Sequence, residues 1–180
     1  TSGRELNMDA DYGFYRLDNN QFQPNYYFDP SGENLINSRI YIMIAPRDID
    51  IYTFKTDYEQ NLKKGRFGIG AKVSYVKSGN DFQRYNVMPS YKSLDTLRSN
   101  NFHYKENVND VYVNYNRPFK GFMIQAGLRV ENTNSEGLSN GFNWNNGYVE
   151  YDSTFKRNYT DVFPSAAITF NKNPTSQLSL

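Results

Sequence analysis

The chain predicts an all-β fold, an antiparallel up-and-down meander that is a partial segment, of about seven strands, of a large transmembrane β-barrel. Three observations carry this prediction. Aromatic residues make up 17% of the 180 residues although the mean hydropathy is -0.79. Apolar residues recur at every second position through several segments, and short turns alternate with long polar stretches. A soluble domain builds its core from aliphatic residues, whereas a barrel strand facing lipid on one side and water on the other can be half polar.

The strands follow in order. Leu6, Met8, Ala10, Tyr12 and Phe14 alternate with polar or small residues, which predicts a strand running outward to about Arg16. A second returns to Leu62 through Tyr52, Phe54 and Tyr58, and a third rises from Arg66 to Lys77 with Phe67, Ile69, Ala71, Val73 and Tyr75 on one face. A fourth descends to Arg117 through Val111, Val113 and Tyr115, and a fifth spans Phe122 to Thr133. A sixth covers Arg157 to Phe170, and a seventh begins near Ser176.

The connections sort by length. Lys63-Lys64-Gly65, Pro118-Phe119-Lys120-Gly121 and Asn171-Lys172-Asn173-Pro174 read as tight turns, while Leu17 to Asp48, Ser78 to His103 and Asn134 to Lys156 read as long loops. Short turns at one end and long loops at the other characterise up-and-down membrane barrels. Aromatics follow the same division. Tyr58, Phe67, Tyr115, Phe119, Phe122 and Phe170 gather near the short turns, and Tyr12, Phe14, Tyr52, Tyr75 and Tyr104 near the opposite end, as two interfacial girdles would.

Composition narrows the function classes. A net charge of +1 lacks the basic excess that nucleic acid selects, and zero cysteine removes disulfides, thiolate nucleophiles and sulfur metal sites. No apolar run is long enough for a spanning helix. Neither a signal peptide nor a closed strand count is visible, so the chain reads as residues 1–180 of one barrel domain truncated at both ends, with no plug domain.

Several phrases resemble the β-barrel of TonB-dependent outer-membrane receptors. They are Asp9-Ala10-Asp11-Tyr12, Ile51-Tyr52-Thr53-Phe54-Lys55-Thr56-Asp57-Tyr58, Tyr104-Lys105-Glu106-Asn107-Val108, Gly127-Leu128-Arg129-Val130-Glu131 and Phe163-Pro164-Ser165. The resemblance implies a barrel of about twenty-two strands, in the size class of plugged transporters. It also implies residence in the bacterial outer membrane, and uptake of a scarce nutrient such as a siderophore, glycan, peptide or cobalamin. The implied partners are outer-membrane lipid, the rest of the barrel with its plug, and periplasmic TonB acting through a region outside this chain. The alternatives are a small self-contained outer-membrane barrel and a secreted β-sandwich that binds carbohydrate.

No enzymatic centre, cofactor or metal site is expected. Asp9/Asp11, Asp48/Asp50 and Asp57/Glu59 are carboxylates two apart, which strand alternation produces without selection for chemistry. His103 is the sole histidine and is placed at a loop-to-strand junction. Lys55, Asp57, Lys72, Glu106, Asp110, Arg129 and Glu131 share the expected lumen face as a polar ladder. Phe142, Trp144 and Tyr148 in one long loop, and Tyr26 and Tyr27 in another, are the candidate ligand contacts, since rings stack on apolar ligand faces beside hydrogen-bonding amides.

Overall fold

A computed structural model describes residues 3–144, 148–173 and 176–179, with side chains described for 3–141 and 152–170. The elements are β1 (Arg4–Leu17), β2 (Asn20–Phe28), β3 (Leu35–Ile44), β4 (Arg47–Leu62), β5 (Gly65–Val87), β6 (Lys92–Leu94), a 3-10 turn at Thr96–Arg98, β7 (Asn100–Phe119), β8 (Phe122–Trp144), β9 (Tyr148–Asn173) and β10 (Ser176–Ser179). The main path β1-β4-β5-β7-β8-β9-β10 is antiparallel throughout. It is the seven-strand meander expected from alternation.

The two-residue turn at Lys63–Lys64 has positive φ at both positions (47° and 65°), the backbone that lets a tight hairpin follow the twist of its strands. The turn after Phe119 places Gly121 at φ 87°, where the missing Cβ removes the strain. At the other end the expected long loops are largely strand. β5 runs ten residues past Lys77, β8 runs on to Trp144, and β9 begins at Tyr148. Residues 17–48 contain the β2–β3 hairpin, closed at its base by Ala45 N–H donating to Asn19 O at 2.9 Å. His103 lies within β7, opposite Gly79 and Leu138, and not at a loop junction. Along the extensions of β5, β8 and β9 polar residues predominate on both faces and mask the two-residue period, whereas β3 keeps it in Ile40, Ile42 and Ile44; cross-strand backbone bonding extends through all of them regardless of side-chain polarity.

Among the described residues no hydrophobic side chain is buried. The sheet is one layer with neither surface covered by a second sheet, and this excludes the sandwich alternative, whose core would lie between packed sheets. One surface is apolar: Leu6, Tyr58, Ile69, Val113, Leu128 and Pro164 stand in one cross-strand row. The next row is Met8, Thr56, Ala71, Val111, Val130 and Val162.

This apolar band drifts across the strands. It covers Leu6–Phe14 on β1 and Val162–Phe170 on β9, but Phe14 projects through the register onto Lys156, six residues above Val162. A drift of about 20 Å across five strand spacings, about 24 Å, makes an angle of about 40°. A flat hydrocarbon slab imposes this drift on strands tilted by roughly 35–45°, the tilt of outer-membrane barrels.

The girdles mostly follow. Tyr12, Tyr52 and Tyr75 form one outward row, with ring centroids 4.9 Å and 6.4 Å apart in sequence. Phe119, Phe122 and Phe170 form the row at the short turns, at 4.8 Å and 6.4 Å. Tyr104 is an exception. It shares a face with Glu106, Asp110 and Tyr112 and meets Phe155 at 6.4 Å, because its even position in β7 turns it to the polar surface.

Candidate functional site

The polar surface carries the predicted ladder. Register aligns Asp9, Lys55, Lys72, Asp110, Glu131 and Asp161 in a single row across β1, β4, β5, β7, β8 and β9. Lys55 Nζ stands 2.7 Å from Asp57, and Arg129 stands 3.1 Å from Glu131 while its guanidinium covers the Phe163 ring at 4.8 Å. Alternate residues of one strand point to the same side, which is why pairs two apart reach each other. Lys55, Lys72, Asp110, Tyr112, Arg129 and Glu131 line a shallow depression of about 550 Å³. Glu106 lies higher on the same face and accepts from the Tyr104 hydroxyl at 2.5 Å, outside this group.

Glycines shape the depression. Gly70 faces Tyr112 in register, and a Cβ there would overlap the Tyr112 ring, which reaches over the glycine so that its hydroxyl donates to Asp57. Gly127 likewise leaves space taken by Ser165. Two of the three carboxylate pairs noted in the sequence are divided among cations: Asp48 and Asp50 share Arg16, Asp57 takes Lys55, and Glu59 takes Arg66. Among the described residues no group of His, Cys, Asp and Glu is arranged to hold a metal ion.

A second site lies at the long-strand end, and sequence reading missed it. Beyond Ile44 the β2–β3 hairpin takes the place of β4 beside β5, with Tyr41 opposite Asn86 and Met43 opposite Arg84. The Arg84 guanidinium stacks on the Tyr41 ring at 4.0 Å, and its buried Nε has no hydrogen-bond partner among the described residues. Arg39, Arg84 and Arg98 line a pocket of about 390 Å³ with Tyr41, Asn86 and Asp95. Asp95 pairs with Arg98 at 2.9 Å, so one carboxylate faces three guanidiniums. Buried unpaired polar groups on a cation are costly in a folded protein, and an arriving anion offsets that cost. The only sequence signal was arginine density on residues 39–98, which does not show which of them converge.

Of the predicted ligand contacts, Tyr27 is on the face of β2 that carries Asn25, beside Arg39 on β3, whereas Tyr26 points to the opposite face. Both are about half exposed. Phe142, Trp144 and Tyr148 lie on strand backbone at the β8–β9 tip, with their side chains outside the described residues.

The profile of the outer membrane protein beta-barrel family matches residues 1–180. Solved structures of similar fold include the siderophore receptor PiuA from Acinetobacter baumannii, with TM-score 0.60 and 16% identity over 96% of this chain and 28% of that one. The ferric yersiniabactin uptake receptor FyuA from Yersinia pestis gives 0.54 and 15%, over 93% and 26%. The unliganded ferric citrate transporter FecA gives 0.51 and 14%, over 94% and 25%. The chain spans about a quarter of the length of these structures. At such identities the likeness is one of fold. No curated protein matches the chain.

Proposed function

The chain belongs to the outer membrane protein beta-barrel family, and from that membership we propose that it is a section of the wall of a TonB-dependent receptor that takes up a scarce nutrient. Its place is the outer membrane, and it is not an enzyme. The observation that carries the proposal is the pairing of a drifting apolar band with an opposite polar surface. A wall so built separates lipid from a wet interior.

In this reading residues 1–180 are part of one barrel domain. Among the described residues the ends of the path, β1 and β10, do not pair with each other, and open edges in lipid leave backbone groups unsatisfied at several kcal/mol each, roughly. Further strands of the parent protein close the barrel. The row through Lys55, Lys72, Asp110 and Glu131, with Asp57, Arg129 and Glu106 beside it, lines the lumen and meets a plug domain there. The plug in turn couples to periplasmic TonB. At the outer end the arginine pocket and Tyr27, with Phe142, Trp144 and Tyr148 at the neighbouring tip and Tyr26 on the far face of β2, contact the nutrient. The candidates are siderophore, glycan, peptide and cobalamin, and the arginines favour an anionic one.

The test is uptake by cells lacking the parent protein. Labelled ferric siderophore, cobalamin, oligosaccharide and peptide are supplied with and without collapse of the proton gradient. Loss of accumulation of one ligand on both treatments supports the proposal. Unchanged accumulation of every ligand defeats it, as does uptake that ignores the gradient.

A further inference from the structure

At the short-turn end the apolar surface holds a cation where its alternation leads one to expect an apolar side chain. Arg117 stands opposite Ile124 on β8, and Ile124 stands opposite Ile168 on β9. The row above is Tyr115, Ala126 and Ala166, and the row below is the aromatic girdle of Phe119, Phe122 and Phe170. On strands tilted by about 40°, Arg117 is therefore about 5 Å inside the lower edge of the band. Short turns of outer-membrane barrels face the periplasm, so this edge belongs to the periplasmic leaflet.

The Arg117 guanidinium has no carboxylate or hydrogen-bond partner among the described residues, and it stacks on the Phe119 ring at 4.8 Å. Phe119 is the nearer of the two to the turn, so this contact aims the charge out of the hydrocarbon and toward the headgroups. The anion found at that depth is a lipid phosphate, whose oxygens match the two-pronged guanidinium.

The rim around Arg117 has the same sign. Tyr115 lies over Gly65, where a Cβ would overlap its ring, and its hydroxyl donates to Leu62 O at 3.1 Å. This holds the Lys63–Lys64 turn beside the lower end of β7, and Lys120 follows in the β7–β8 turn. All three lysines are exposed. The carboxylates nearest this end, Glu5 and Glu59, are on the polar surface, where both pair with Arg66. Among the described residues no carboxylate stands on the outward side of the rim. A zwitterionic headgroup brings an ammonium that nothing here neutralises, whereas an anionic headgroup meets only cations.

We propose that Arg117, with Lys63, Lys64 and Lys120, binds an anionic phospholipid of the periplasmic leaflet. The guanidinium takes the diester phosphate, and the turn lysines select an anionic headgroup over a zwitterionic one. The inference rests on the reading of this sheet as a membrane wall and is independent of what the receptor transports.

The experiment uses the full-length parent protein in nanodiscs of phosphatidylethanolamine doped with phosphatidylglycerol. Native mass spectrometry compares the two lipids retained on the protein with their proportions in the bilayer. Phosphatidylglycerol is expected in excess, and Arg117→Leu is expected to lower that excess about fivefold, the effect of one cation at a membrane surface. The pair Lys63→Gln/Lys64→Gln is expected to lower it as well. Arg117→Leu removes a charge from the apolar band, so folding is not put at risk, and a heat-shift gel checks each variant. Lys77→Gln, at the opposite end of β5, is the charge control and should leave the excess unchanged. A folded barrel that retains the lipids in bilayer proportions, or loses as much excess with Lys77→Gln as with Arg117→Leu, overturns this inference alone. An unmodified protein that gives no heat-resistant barrel overturns the wall reading and this inference with it.

Discussion

Tyr112 lies across Gly70 of the neighbouring strand, and its hydroxyl continues past the glycine to the carboxylate of Asp57, two strands away. A single ring thereby ties three strands together on the polar surface. It covers backbone that a glycine leaves bare, much as aromatic cross-strand neighbours compensate glycines in designed sheets.

Gly70→Ala is expected to displace this ring, because the added Cβ overlaps it. The overpacking costs about 1–3 kcal/mol. Urea unfolding of the full-length barrel in detergent measures the loss, and an unchanged midpoint would show that Tyr112 has another place to go.

Charge placed on the two surfaces should have opposite consequences. Ala126 is central in the outward band of β8 and Gln125 is its neighbour on the polar side. Ala126→Lys is expected to cost about 2–4 kcal/mol in equilibrium folding into lipid vesicles, the penalty for a lysine near the bilayer midplane. Gln125→Lys should stay within about 0.5 kcal/mol of the unmodified protein. Equal costs would mean that the faces are wrongly assigned.

Arg84 supplies the contrast between stability and binding. Its Nε is buried without a partner, so removing the cation relieves a desolvated group and breaks no ion pair among the described residues. Arg84→Met is expected to leave the melting temperature unchanged or higher while weakening binding of an anionic nutrient by about tenfold or more. Calorimetry and equilibrium binding read the two effects separately. A clear fall in melting temperature would make Arg84 structural.

The tip of the β2–β3 hairpin should respond to acid. Asp29 accepts from Ser31 Oγ at 2.7 Å and Asn34 Nδ2 at 2.8 Å, and these bonds, with the backbone N–H groups of Asn34 and Glu33, hold its carboxyl well below the usual carboxylate range. A depressed carboxyl stabilises the folded tip at all pH values above its unfolded pKa, about 3.9. The stabilisation is lost as pH falls below that value toward the folded pKa. Proteolysis of the tip by pepsin should therefore be slow near pH 4 and accelerate toward pH 2, and Asp29→Asn should flatten that dependence.

Much of the wall was legible in the residues themselves. Leu6 to Phe14, Phe67 to Tyr75 and Phe122 to Val130 show their two faces in any listing of alternate positions, because a strand's side-chain period is two whatever its neighbours are. The ladder residues Lys55, Asp57, Lys72, Arg129 and Glu131 could be assigned to a common surface by the same period. The extensions past Lys77, Thr133 and before Arg157 could not, since polar residues predominate on both faces there and backbone pairing carries the strand on.

The sequence by itself determined the fold class, the order of the seven main strands and, Tyr104 apart, which of their side chains share a face, all properties of local periodicity. Tertiary structure decided what stands next to what. Arg84 meets Tyr41 only because the β2–β3 hairpin replaces β4 beside β5. Lys105 and Lys156 line one groove because β7, β8 and β9 pair in register. Register and tilt arise from pairing across tens of residues and from the flatness of the membrane, and neither leaves a mark on a single strand's own sequence.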